Sequence, residues 1–174
     1  TIDIGGADVH ASVRIDEGDA VALINAGLHF AAGDEVTLQA AGTHLGTSLK
    51  ELQKLGVDAV TVAGGAGELS LSLGDEGTLS ASGLPVFDAA LDVTLDVADG
   101  QVDQLEGVAE QLKASGVDAV RVEVSDGNGD GYGDDLQKLL DGSSVGLEAL
   151  HQAQVDTTID LGGAAVVGQV SIDE

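Results

Sequence analysis

Cysteine is absent from this 174-residue chain, which excludes disulfides and thiolate metal sites. Aromatic residues are nearly absent too: Phe30, Phe87 and Tyr132 are the whole set. The core must therefore be built from Ala, Val, Leu and Ile, small aliphatic side chains that stack well in regular layers. Cations are few. Arg14, Lys50, Lys54, Lys113, Arg121 and Lys138 stand against 31 acidic residues, giving a net charge of −25. Such a chain repels nucleic acid, whose affinity comes largely from cationic contacts with phosphate. It is equally disfavoured at anionic membrane surfaces. No apolar run approaches the roughly 18 residues that a membrane span needs. No Pro/Ser-rich stretch divides the chain, and its length suits one domain with a real core. No signal peptide is read, and a start at Thr1 suggests a mature or excised fragment.

What the chain has is repetition, the mark of repeat architectures. Thr1 to Glu17 reads TIDIGGADVHASVRIDE, and Thr158 to Glu174 reads TIDLGGAAVVGQVSIDE. Eleven of the seventeen positions are identical, so the sequence restarts after a period of 157 residues. Inside it, Gly56-Val57-Asp58-Ala59-Val60 recurs sixty residues on as Gly116-Val117-Asp118-Ala119-Val120. A degenerate third copy aligns Leu147 with Leu49, Leu150 with Leu52, Val155 with Val57 and Gly162-Gly163 with Gly64-Gly65. Glu35-Val36-Thr37-Leu38 matches Asp92-Val93-Thr94-Leu95, and Gly27-Leu28 matches Gly83-Leu84. The organisation expected is a single repeat unit, 1–174. It holds modules at about 14–73 and 74–133 and a shortened one at 134–174.

Period-2 stretches predict strands at ASVRI, EVTLQ, DAVTV, ELSLSL, DVTLDV, AVRVEV, TTIDL and GQVSI. Helices are expected over DAVALINAG, SLKELQKLG, VDQLEGVAEQLKASG, DDLQKLLDG and GLEALHQAQ. Ser48 with Glu51, and Asp103 with Glu106, have capping-box spacing. Gly56, Gly116 and Gly142 stand where a terminating glycine belongs. Alternation of strand and helix predicts an α/β fold: strand–helix–strand modules forming a mostly parallel or mixed sheet, or a solenoid, with helices packed on it. DAVTV and ELSLSL, only a few small residues apart, are open to reading as a hairpin. Leu52, Leu112 and Leu150 should occupy equivalent buried positions.

The strongest chemical motif runs from Asp126 to Asp135, DGNGDGYGDD. Oxygen ligands at alternate positions converge on a Ca²⁺ ion, and the glycine after them permits the sharp turn. Asp126, Asn128 and Asp130 would supply side-chain oxygens and Tyr132 its carbonyl. Position 12 of an EF-hand loop is a bidentate Glu; here it is Gln137, so Asp134 or Asp135 must complete the set. The loop is an insertion relative to the first module. Further acidic turns, Asp16-Glu17-Gly18-Asp19, Asp75-Glu76-Gly77 and Asp173-Glu174, read either as helix starts that suit the dipole or as shared Ca²⁺ sites.

Catalytic motifs are missing. Gly142-Ser143-Ser144-Val145-Gly146 has the G-x-S-x-G letters, but a helix rather than a strand precedes it, so it reads as a helix–helix turn. His10, His29, His44 and His151 have no metal-ligand spacing. No enzyme is expected.

The 126–135 loop resembles the openings of EF-hand and dockerin loops, and still more the D-x-D-x-D-G-x-G-D repeats of thrombospondin type 3 and related bacterial calcium proteins. Stretches such as ALINAGLHFAAGDEVTL and LKELQKLGVDAVTV resemble the tandem repeats of very large secreted bacterial proteins. These are RTX-like adhesins and biofilm or surface-layer proteins of the type I secretion class. That resemblance implies an extracellular or cell-surface, acidic structural unit that uses Ca²⁺. Its partners would be copies of itself or adjacent repeats, joined head to tail into filaments, and a cell-surface or matrix ligand. The alternative is a discrete calcium-dependent ligand-binding module with no polymer role. In an array, Ile2, Ile4, Val13 and Ile15 of one unit are expected to pair with Ile159, Leu161, Val170 and Ile172 of the next.

Overall fold

The fold is α/β, with two all-parallel sheets and helices packed around them. A computed structural model describes residues 12–125, 133–141 and 144–162. The strand GQVSI, Gly142, and Ile2, Ile4, Val170 and Ile172 lie outside the described residues.

The strands are β1 (Ser12–Asp16), β2 (Glu35–Ala40), β3 (His44–Leu45), β4 (Ala59–Val62), β5 (Gly67–Ser72), β6 (Val86–Phe87), β7 (Leu91–Ala98), β8 (Ala119–Glu123) and β9 (Asp156–Asp160). The helices are α1 (Glu17–Asn25), α2 (Leu49–Leu55), α3 (Ala109–Ser115), α4 (Gly133–Leu140) and α5 (Val145–Gln152). One sheet has the order β1-β2-β4-β6 and the other β3-β5-β7-β8-β9. Within each sheet the strands follow chain order, so each turn of the chain lies beside the turn before it. This is a solenoid. Register advances by 22 to 27 residues per turn, from Ser12 to Glu35, Thr37 to Ala59, Ala59 to Val86, His44 to Ser70, Gly67 to Leu91 and Thr94 to Ala119. The last step, Ala119 to Asp156, is 37. The surplus falls where the acidic loop and α4 are inserted.

DAVTV and ELSLSL do not form a hairpin. β4 and β5 lie in different sheets, each parallel to its neighbours. Gly64 and Gly65, at φ 110 and 79, turn the chain from one sheet into the other. Only glycine adopts such angles cheaply.

The two Gly-Val-Asp-Ala-Val segments have the same geometry. Gly56 and Gly116 end their helices in the left-handed region. Asp58 N–H donates to the Val36 carbonyl and Asp118 N–H to that of Val93, each at 2.9 Å. The same aspartates accept from those strands: Val36 N–H reaches Asp58 Oδ2 at 2.7 Å, and Val93 N–H reaches Asp118 Oδ2 at 2.9 Å. Each aspartate thus clamps the opening of its strand to the preceding one. Leu52, Leu112 and Leu150 are all fully buried. They belong to one continuous aliphatic core that includes both phenylalanines.

Two local expectations are corrected. VDQLEGVAEQLKASG is not one helix: a 3-10 segment (Asp99–Leu105) precedes α3, and Gly107, a poor helix former, stands between them. Leu105, Val108 and Leu112 still share burial across the break. Asp103 and Glu106 form no capping box. The Asp103 carboxylate turns instead to α5, accepting from Ser144 Oγ at 2.8 Å and Gly146 N–H at 3.2 Å. Ser48 and Glu51 do form one, at the start of α2. Among the described residues no helix is long and apolar enough to cross a membrane.

Candidate functional site

Asp126, Asn128, Asp130 and Tyr132, the expected Ca²⁺ ligands, lie outside the described residues. Asp134 and Asp135 open α4, but their side chains lie outside what is described. The flanks of the loop are described. On one side Ser125 ends the turn after β8, its N–H and Oγ directed at the Asp99 carboxylate at 3.4 and 3.3 Å. On the other, Leu136 and Leu139 bury one face of α4 in the core. Ser125 on one side and α4 on the other are thus held in the fold. An oxygen-rich loop suits Ca²⁺, which takes six to eight oxygens with tolerant geometry.

The other acidic turns carry their own hydrogen bonds. Asp16 and Asp19 form a reciprocal cap at the start of α1, and Glu17 Oε1 accepts from Gly46 N–H at 2.9 Å. Asp75 accepts from Gln101 Nε2 at 3.4 Å. Asp173 and Glu174 lie outside the described residues. Among the described residues, no group of three or more His, Asp or Glu is placed to hold a metal ion. Ser144, in the G-x-S-x-G letters, is the N-cap of α5: its hydroxyl accepts from Leu147 N–H and donates to Asp103.

A cleft of about 620 Å³ opens between the end of α1, helix α2 and the turn at 74–77. It gathers Leu28, His29, Lys50, Glu51, Lys54 and Glu76. Sequence reasoning missed it, because residues from three separate turns meet there. Lys50 is the unusual member. It is 5% exposed, and its ammonium donates to the Gly74 carbonyl at 3.0 Å and to Gln104 Oε1 at 2.8 Å. Burying a charge is costly unless hydrogen bonds replace its water. Lys50 meets that cost with neutral oxygens of the following turns, so it works as a tie between turns.

The outward face of the second sheet is polar. Parallel sheets are commonly covered on both faces, but β7 alternates buried and more exposed positions along its whole length. On that face Arg121 pairs with Asp96 at 2.8 Å. The hydrogen bond to Asp96 holds the Arg121 pKa above its ordinary value, against the partial burial that lowers it, and the negative charges of Asp96, Glu123 and Asp160 add to the rise. A smaller cleft of about 360 Å³ lies here, lined by Glu68, Asp92 and Arg121 among others.

No family model matches the chain, and no curated protein or solved structure matches it either.

Proposed function

We propose that the chain is a structural repeat of an extracellular bacterial surface, adhesin or biofilm-matrix protein, binding Ca²⁺ through the 126–135 loop and joining further copies head to tail. The observation that supports this reading is the pairing of chain-ordered, parallel turns with a sequence that restarts at Thr158, within the last described strand. In a solenoid each turn contacts only its neighbours, so turns can be added without limit. Thr158 to Glu174 already begins another set. The charge of −25 would keep a long array soluble, and external Ca²⁺ would relieve its self-repulsion.

The loop makes this testable. Without the ion, several carboxylates crowd together with no counter-charge. Ca²⁺ should raise the melting temperature by several degrees over chelator, following the binding contribution to stability. Asp130→Ala should lower it in Ca²⁺ and leave it unchanged in chelator. Coincident melting curves with and without Ca²⁺ would rule out a structural ion. The second reading is a discrete calcium-dependent ligand-binding module, for which the cleft beside Lys54 and Glu76 is the candidate site. Negative-stain microscopy in Ca²⁺ separates the two: filaments support the array, monodisperse particles the module.

A further inference from the structure

β9 borders the second sheet, and four of its five residues, Asp156, Thr157, Thr158 and Asp160, are exposed. β4 is its counterpart. Both follow a helix through Val-Asp, at Val57-Asp58 and Val155-Asp156, and both run into a Gly-Gly pair. The far edge of β4, however, is covered. Val86 N–H donates to the Asp58 carbonyl at 2.8 Å and Asp88 N–H to the Val60 carbonyl at 3.1 Å, which places Val86 and Phe87 of β6 against Ala59 and Val60. Phe87 then closes against Gly116, where a Cβ would stand 3.4 Å from the phenylalanine Cβ.

The first half carries a matching phenylalanine. Phe30 closes against Gly56, where a Cβ would stand 3.6 Å from the Phe30 Cβ. It follows Gly27-Leu28 as Phe87 follows Gly83-Leu84, and it precedes β2 as Phe87 precedes β7. In sequence, the segment that stands to Phe30 as β4 stands to Phe87 is Thr1 to Ile4. That segment recurs at Thr158 to Leu161, and Thr158, Ile159 and Asp160 of the recurrence lie in β9.

We infer that β9 is a shared strand: it pairs with β8 of its own unit, and His29 and Phe30 of the following copy cover its other edge. This rests on the array reading and replaces the end-to-end pairing of Ile2 and Ile4 with Ile159 and Leu161. The spacing fits. From Asp58 to Asp75 and from Asp156 to Asp173 is 17 residues in each case. Val86 follows Asp58 by 28 residues, and His29 of a following copy would follow Asp156 by 30, the first module having the longer return. Among the described residues no strand pairs with the outer edge of β9, and an unpaired strand edge is a template for one more strand. Here the added strand is dictated by the fold, and sheets continue through the unit boundary with no linker.

Two copies joined through the shared segment, so that Thr158 to Glu174 of the first is Thr1 to Glu17 of the second, provide the test. The chain has no cysteine, so introduced pairs report cleanly. Adjacent strands lie about 4.8 Å apart, within disulfide reach. Ala59→Cys with Val86→Cys inside one copy is the reference. His29→Cys in the second copy, with Thr157→Cys or Thr158→Cys in the first, should close to a similar extent. The joined pair should also melt several degrees above the single chain. If the reference closes and neither junction pair does, while the joined pair is stabilised, the edge assignment fails alone. If the joined pair gains no stability, the array reading fails and takes this inference with it.

Discussion

Residues 16–27 and 75–83 both open with Asp-Glu-Gly and close with a glycine in the left-handed region, Gly27 or Gly83, yet only the first is helical. The first reads DEGDAVALINAG, with Ala20, Ala22, Leu23 and Ala26 as good helix formers and Asp16 and Asp19 capping it reciprocally. The second, DEGTLSASG, is three residues shorter and spends three positions on Ser and Thr, which compete for backbone hydrogen bonds. Its backbone is satisfied from outside. Gln53 of α2 donates to the Ser80 and Ser82 carbonyls at 2.8 and 2.9 Å and accepts from Ser80 N–H at 3.0 Å. The strands on either side keep their parallel register regardless. Register is therefore imposed by strand pairing and the core, while the return path is left to local propensity.

The sharpest way to break that balance is at the helix starts, where the two halves place a glycine on opposite partners. In the first half the glycine is on the turn: a Cβ at Gly74 would come within 2.8 Å of Ser48 Cβ. In the second it is on the helix: a Cβ at Gly146 would fall on the Val102 carbonyl. Backbone yields less than side chain, so Gly146→Ala should be the worst single change. We expect a cost of about 3 kcal/mol or more, from overpacking and the displaced contact with the 3-10 segment. Gly74→Ala should cost less but still destabilise, since Gly74 stands at φ 92 and the new Cβ would press on Ser48, the cap of α2. Chemical denaturation of both variants measures the difference, and equal costs would contradict it.

Lys50 comes next. Its counterpart sixty residues on, Glu110, is exposed. Lys50→Ala removes two hydrogen bonds from a charged donor and opens a cavity, a loss of about 2 kcal/mol. Glu110→Ala should stay within about 0.5 kcal/mol. Urea midpoints of the two variants test this contrast.

The aspartate clamps should behave as a pair. Asp58→Ala and Asp118→Ala each free a strand N–H at Val36 or Val93, costing about 1–2 kcal/mol. The part-buried Asp118 should be the larger. The sites lie in separate sheets, so the double variant should lose the sum to within about 0.5 kcal/mol. A strongly non-additive result would mean that the two halves are coupled through these strands.

Much of the fold was legible because it rests on periodicity. The expected strands rest on alternation and the expected helices on the spacing of leucines, and mostly parallel pairing was expected because strand and helix alternate through much of the chain. What was not legible had no period to show. β3 and β6 have two residues each, too few to alternate, and owe their strand geometry to the neighbours they join. Gly64-Gly65 gave a true turn signal that composition could not orient, since the same glycines serve a hairpin or a bend between sheets. Asp103 had capping-box spacing, but tertiary contact with Ser144 and Gly146 claimed its carboxylate. The candidate Ca²⁺ loop was visible as ligand spacing alone. The Lys50 cleft was invisible, because Lys50, Gly74 and Gln104 come together only through the stacking of turns.

The smallest effect lies in the degenerate third copy. Gly56 and Gly116 close α2 and α3 at φ 84 and 96. The aligned position after α5 is Gln154, held at φ 57, the one non-glycine residue with positive φ among those described. The surrounding bonds are unchanged: Val57, Val117 and Val155 each donate to the carbonyl of Leu52, Leu112 or Leu150, at 3.1, 3.0 and 3.0 Å. The third copy thus keeps a backbone shape that suits a glycine it no longer has. A side chain in the left-handed region costs about 1–2 kcal/mol, part of which glycine gives back as entropy in the unfolded chain. Gln154→Gly should therefore stabilise the protein by up to about 1 kcal/mol, a rise of about 2–4 °C in melting temperature. Gly116→Ala should do the reverse and more, since its Cβ would also press on the Phe87 carbonyl at 3.3 Å. If Gln154→Gly instead destabilises the protein, the glutamine side chain contributes there beyond its backbone, and the third turn is not a weakened copy of the first two.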